Sequence, residues 1–157
     1  MLTISPLEEK NAAEIVSWND GSDERFLMQW SGRGYVFPIT EEQIRLRLSE
    51  GAEIFQAAEN GVMAATIEII GRYDDDRSAH LGRFIVDRSR TGKGIGTEVL
   101  TLFMEYCRDR YAFTKLSLTV FEYNTAAMMC YKKCGFVEVS REERGNGVVA
   151  VRMEKMI

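Results

Sequence analysis

Residues 85–96, Ile-Val-Asp-Arg-Ser-Arg-Thr-Gly-Lys-Gly-Ile-Gly, constrain this chain more than any other stretch. The apolar run ending at Val86 reads as a buried strand, Asp87 to Arg90 as a basic turn, and Gly92 to Gly96 as a glycine-rich loop that opens a helix. Glycine has no Cβ, so the backbone bends sharply there and its N–H groups come close to an anion. The helix that follows turns its unpaired first-turn donors and its positive dipole end toward the same anion. Arg90 and Lys93 add charge. The construction suits a pyrophosphate.

Spacing decides between phosphate loops. A P-loop needs a glycine where Asp87 stands, and Ser or Thr where Gly94 follows Lys93. A dinucleotide fingerprint read from Gly92 has its third glycine one residue early, at Gly96, and read from Gly94 it meets Val99. What remains is the Arg/Gln-x-x-Gly-x-Gly arrangement of a coenzyme A loop. In this the segment resembles motif A of the GNAT superfamily, the acyl-CoA-dependent N-acyltransferases. A second segment, Asn124-Thr-Ala-Ala-Met-Met-Cys-Tyr-Lys-Lys-Cys-Gly-Phe136, is similar to the family's Asn-x-x-Ala-x-x-x-Tyr-x-x-x-Gly-Phe helix. The two motifs and the elements between them cover roughly residues 80–136. One departure stands out. Thr91 occupies the place of the family's Arg or Gln, with Arg90 one step earlier, so a charge-assisted bond of about 1–2 kcal/mol is missing from the expected coenzyme contacts.

The resemblance implies a GNAT fold: a mixed α/β chain with a central, mostly antiparallel sheet flanked by helices, forming one domain over residues 1–157. It implies acetyl-CoA as co-substrate, lying in a wedge beside Val86. Main-chain groups of Phe84, Ile85 and Val86 would pair with the pantetheine arm as an added strand does. The diphosphate would rest on Arg90, Thr91, Gly92, Lys93, Gly94, Ile95, Gly96 and Thr97, and Asn124 and Ala127 would line the arm. Asn124 is also a sound helix N-cap in its own right.

Tyr131 shares a helical face with Ala127 and Asn124 and is the candidate general acid. Its phenol, with an ordinary pKa near ~10, is protonated at neutral pH and can give its proton to a departing thiolate. A general base is needed because freeing a lysine-type amine of its proton costs about 4.6 kcal/mol at pH 7. Some relatives carry a Glu five residues before Asn124, where this chain has Thr119. His80, the only histidine, and Glu68, acting through water, are the two candidates, with Glu122 nearer the helix. The aromatic segment from Phe26 to Phe37 falls where the family often builds its acceptor pocket. Trp30 and Tyr35 there would stack on the acceptor or attract its cationic amine, and core packing would explain them equally well.

Composition narrows the class. Three cysteines without framework spacing suit a reducing, cytoplasmic setting, and no apolar run approaches the length of a membrane span. Cys130 and Cys134 share a helix face, but no Cys-x-x-Cys accompanies them, so they read as small core hydrophobes and no metal is expected. A net charge of −4 argues against a nucleic-acid partner. The expected partner is a small-molecule or peptide amine; the oligomeric state, a homodimer included, is left open.

For the elements themselves, Leu2–Ser5 reads as an edge strand, and Ser5-Pro6-Leu7-Glu8 as a capping box opening a helix to about Asn19. Residues 22–38 read as irregular. Thr40 to Gln43 is a second capping box, opening a helix to Ser49. Glu53–Ala58 and Val62–Arg72 read as strands joined at Asn60-Gly61, a strong hairpin signal. His80–Asp87, Lys115–Tyr123, Phe136–Ser140 and Val148–Met153 complete the strands, with helices at Gly94–Arg110 and Asn124–Lys133. No nucleophile triad is visible, so direct transfer in a ternary complex is expected. The rival from another class is a sensor that binds acyl-CoA without turnover; a nucleotide-binding enzyme comes third.

Overall fold

A computed structural model describes residues 1–157. It is mixed α/β, with strands β1 (Leu2–Pro6), β2 (Glu53–Glu59), β3 (Val62–Tyr73), β4 (Ser78–Val86), β5 (Lys115–Phe121), β6 (Val137–Glu143) and β7 (Val149–Met156). The helices are α1 (Ala12–Ser17), α2 (Glu24–Ser31), α3 (Glu41–Ser49), α4 (Ile95–Tyr111) and α5 (Thr125–Lys133). The strands form one seven-stranded sheet in the order β1-β2-β3-β4-β5-β7-β6. β4 and β5 run parallel, whereas β1–β2, β2–β3, β5–β7 and β6–β7 are antiparallel. No helix is long and apolar enough to cross a membrane.

The chain divides into two compact units, residues 1–70 with 82–95, and residues 71–81 with 96–157. In the first unit, the β2–β3 hairpin turns at Asn60 and Gly61, with φ of 53° and 79°. Two consecutive positive φ values make the primed turn whose twist matches the strands it joins, as the Asn-Gly pair predicts. Thr40 caps α3 as expected, its hydroxyl accepting from the Gln43 N–H at 3.3 Å. The Gln43 side chain does not return to Thr40, however. It holds the preceding loop, bonding the N–H and carbonyl of Val36 and the carbonyl of Pro38. The core of this unit gathers Ile15, Trp18, Leu27, Trp30, Ile44 and Ile54.

Two expectations fail here. Ser5 and Pro6 do not open a helix; β1 continues through both, Ser5 opposite Gln56 and Pro6 opposite Phe55. Pro lacks only an N–H, which an edge strand does not need on its outer side, so the ladder prevails over the cap. The helical turn begins later, at Glu9, and α1 itself spans only Ala12–Ser17. Residues 22–38 are not irregular throughout, because Asp23 accepts from the Phe26 N–H at 2.9 Å and caps α2.

In the second unit, β5 pairs with β4 over Ser78–Leu81 and with β7 along its whole length. α4 buries Val99, Leu100, Phe103, Met104 and Cys107 along its inward stripe. Asn124 caps α5, accepting from the Ala127 N–H at 3.3 Å.

Candidate active site

The glycine loop lies in the first unit and leads into α4. Gly92 and Gly94 have φ of +79° and +78°, in the left-handed region that other residues enter at a cost. A Cβ added to either would meet nothing within 4 Å. Backbone conformation demands these glycines, while the space above them is open, as a cradle for a ligand should be. Side chains around the loop are partly committed. Thr91 donates its hydroxyl to the Arg88 carbonyl at 3.0 Å, so it does not offer that proton in place of the missing Arg or Gln. Arg90 lies 3.6 Å from Glu59 and 3.9 Å from Asp87, and Arg88 stacks its guanidinium 4.9 Å from the centre of the Phe26 ring. Lys93 is exposed. On β4, Ile85 is buried and Phe84 and Val86 are half-buried.

Glu68, Trp30 and Tyr35 come together in the same unit, in an arrangement the sequence reading missed. Glu68 is only 2% exposed. Arg47 of α3 grips it with both terminal nitrogens, Nη1 to Oε1 at 2.5 Å and Nη2 to Oε2 at 2.8 Å. Arg83 of β4 adds a further bond from its Nη1 to Oε2. Arg47 also donates to the Tyr35 hydroxyl at 3.3 Å and lies over its ring, 5.2 Å from the centroid. Burial raises the Tyr35 pKa, and the bond from Arg47 partly offsets this. Both oxygens of Glu68 are therefore occupied by guanidinium donors. A water or an ammonium would have to compete with two fixed cations for them.

Trp30 and Tyr35, expected on the acceptor, sit in the core at 9% exposure each, their ring centroids 5.8 Å apart. The Trp30 indole donates to Asn19 Oδ1 at 2.9 Å. Packing and a satisfied polar tip account for both side chains. The aromatic that lines an opening is Phe37, 44% exposed. It borders a cavity of about 230 Å³ with Val16, Asp20, Leu27, Pro38 and Ile39.

The second unit holds His80, Tyr131, Asn124 and Ala127. His80 faces Ser117 across the β4–β5 ladder, Nδ1 lying 2.8 Å from Ser117 Oγ and Nε2 3.4 Å from Thr119 Oγ1. Burial, then the nearby Arg152 charge, lowers the His80 pKa and keeps the ring neutral at pH 7. Tyr131 is buried on the inner face of α5, edge-on to Phe136 at 6.1 Å. Burial, with smaller contributions from Cys130 and Cys134, raises its pKa, so the phenol keeps its proton. The two cysteines flank Thr97 of the first turn of α4. Thr97 Oγ1 lies 3.7 Å from Cys130 Sγ, and Cys134 Sγ lies 3.7 Å from the Thr97 carbonyl. Glu122 is paired with Arg141.

The model of the acetyltransferase (GNAT) family matches residues 9–136. This chain belongs to the GNAT family. A probable spermine N(1)-acetyltransferase of Bacillus subtilis subsp. natto (strain BEST195) is 31% identical to this GNAT chain over 67 residues, which cover 41% of the chain and 44% of that relative. The chain thus spans less than half the length of that curated relative. Among solved structures, a spermidine N-acetyltransferase from Vibrio cholerae in complex with CoA and spermine superposes with a TM-score of 0.79 at 20% identity, covering 99% of this chain and 95% of the other. The acetyltransferase from Salmonella typhimurium that modifies the N-terminal serine of the 50S ribosomal subunit protein L7/L12 gives 0.80 at 15% identity, with the same 99% and 95% coverage. At such identities the two structures establish the shared GNAT fold.

Proposed function

We propose that this chain is an N-acetyltransferase moving an acetyl group from acetyl-CoA directly to a primary amine in a ternary complex, and that residues 1–157 form one GNAT domain. The observation that carries the reading is the loop: two glycines held at positive φ, open space above both, and a helix starting immediately after them. Family membership supports it, and the relatives named for polyamine and protein N-terminal acetylation support an amine as acceptor.

Acetyl-CoA supplies the activated acyl group as a thioester. The main-chain donors from Gly92 to Thr97 hold the diphosphate, with Lys93 as the free cation beside them. The backbone of Phe84 to Val86 aligns the pantetheine arm. Asn124, whose Oδ1 caps α5, keeps Nδ2 to donate. Tyr131, kept protonated by burial, gives a proton to the departing sulfur. Proton removal from the amine falls to His80, since it is neutral while Glu68 is occupied by Arg47 and Arg83.

The test is thiol release from acetyl-CoA across a panel of amines, with calorimetry for coenzyme binding and Tyr131→Phe alongside. Turnover that falls roughly 10²-fold or more in the variant, at unchanged coenzyme affinity, supports the reading. Coenzyme binding without turnover of any amine makes the chain a sensor. An absence of binding ends both readings.

A further inference from the structure

Resting on the transferase reading above, we propose that the acceptor amine also carries a carboxylate, and that Arg83 recognises it. The argument begins with charge balance. Arg47 alone neutralises Glu68 through two parallel bonds, so a second guanidinium is not needed to compensate that carboxylate. Arg83 nevertheless bonds the same group, leaving one net positive charge at a site where each arginine side chain is only 21% exposed. An unbalanced charge with so little water around it invites an anion from outside.

The guanidinium is held for that purpose. Its Nε donates to the Ser31 carbonyl at 3.0 Å, at the C-terminal end of α2, and its Nη1 to Glu68. The protein provides no acceptor for Nη2. No buried side-chain nitrogen or oxygen lacks a hydrogen-bond partner, so those two N–H groups reach solvent. The backbone of Arg83 has φ of +49°, an unusual conformation for a residue with a side chain. The loop above packs so tightly that a Cβ on Gly34 would clash with the Nε and Cδ of Arg83. Between Gly32 and Gly34, Arg33 adds an exposed cation to that loop.

Location supplies the last step. Arg83 immediately precedes Phe84–Val86, the strand segment assigned to the pantetheine arm. A fixed cation there disfavours a polyamine, whose every nitrogen is cationic, and favours an amine paired with an acid, such as an amino acid or a short peptide.

The experiment compares kcat/KM for free amino acids and dipeptides with that for their C-terminal amides, and with spermidine, each rate divided by the fraction of unprotonated amine. The wild-type chain is expected to favour the carboxylate form by roughly tenfold or more, the worth of one charge-assisted contact. Arg83→Gln brings that ratio toward unity and Arg83→Lys restores part of it, a change in selectivity that a purely structural role would not produce. Should Arg83→Gln fail to fold, the wild-type ratio still decides. A ratio of one or below overturns the inference, as does a preference for spermidine, the outcome that Asp20 at the cavity beside Phe37 would favour. Coenzyme binding with no turnover, or no coenzyme binding, overturns it differently, by removing the transferase reading on which it rests.

Discussion

Substituting Gly94 by alanine separates the loop's conformation from its occupancy. At φ of +78°, an alanine is strained by about 1–2 kcal/mol, and roughly half is regained because alanine also restricts the unfolded chain. The new methyl meets no protein atom within 4 Å, so no steric cost is added. The net loss should be about 1 kcal/mol, a fall in Tm of roughly 3 °C for a chain of this size. Gly51, after α3, is the matching control: its φ is +93°, and a Cβ there also meets nothing within 4 Å. Gly51→Ala should therefore cost about the same stability. If a diphosphate lies over the loop, the two variants part company in calorimetry. A methyl at residue 94 would hold the phosphate away from at least one main-chain donor. The loss of one charge-assisted bond, about 1.5–3 kcal/mol, weakens coenzyme affinity by tenfold or more. Gly51→Ala should leave it unchanged. Equal affinities for the two variants would refute the placement of the diphosphate.

Glu68→Gln leaves two guanidiniums around a neutral amide and is expected to lower stability by about 3 kcal/mol, read as a shifted urea midpoint at constant m-value. His80 should make the protein sensitive to mild acid. Its folded-state pKa lies below the ordinary ~6.5, so the unfolded chain takes up the proton first. Stability is then full above pH ~6.5, declines as pH falls toward the folded value and levels below it. Urea midpoints from pH 7.5 down to about 5.5 should fall in the native chain and stay flatter in His80→Gln.

What the sequence made legible was local. Thr40, Asn124 and the Asn60-Gly61 pair each act within three or four residues, so capping and turn rules placed α3, α5 and the hairpin close to their observed bounds. Ser5-Pro6 misled because the deciding partners, Phe55 and Gln56, lie fifty residues away in a strand that those rules do not see. Asp23 was as good a cap as Thr40, with Leu27 and Trp30 at helical spacing behind it, yet the aromatic-rich residues 22–38 read as irregular. The glycine loop was legible because its function sits in backbone conformation. The Arg47–Glu68–Arg83 cluster was not, since it draws one residue each from α3, β3 and β4, and no spacing announces that meeting. Trp30 and Tyr35 show the same limit, because chemistry alone does not tell a packed ring from a binding one.

Every residue of β6 is exposed, and the strand is paired on one side only, to β7. Its apolar side chains, Val137 and Val139, are covered only in part, so its ladder to β7 and the Glu138–Arg141–Glu122 pairs contribute to holding it in place. Four of its seven residues are charged, which discourages another strand from adding to this margin of the sheet. The outer border of the molecule is thus protected by its polarity, and here sequence is free to drift as long as hydrophilic character persists.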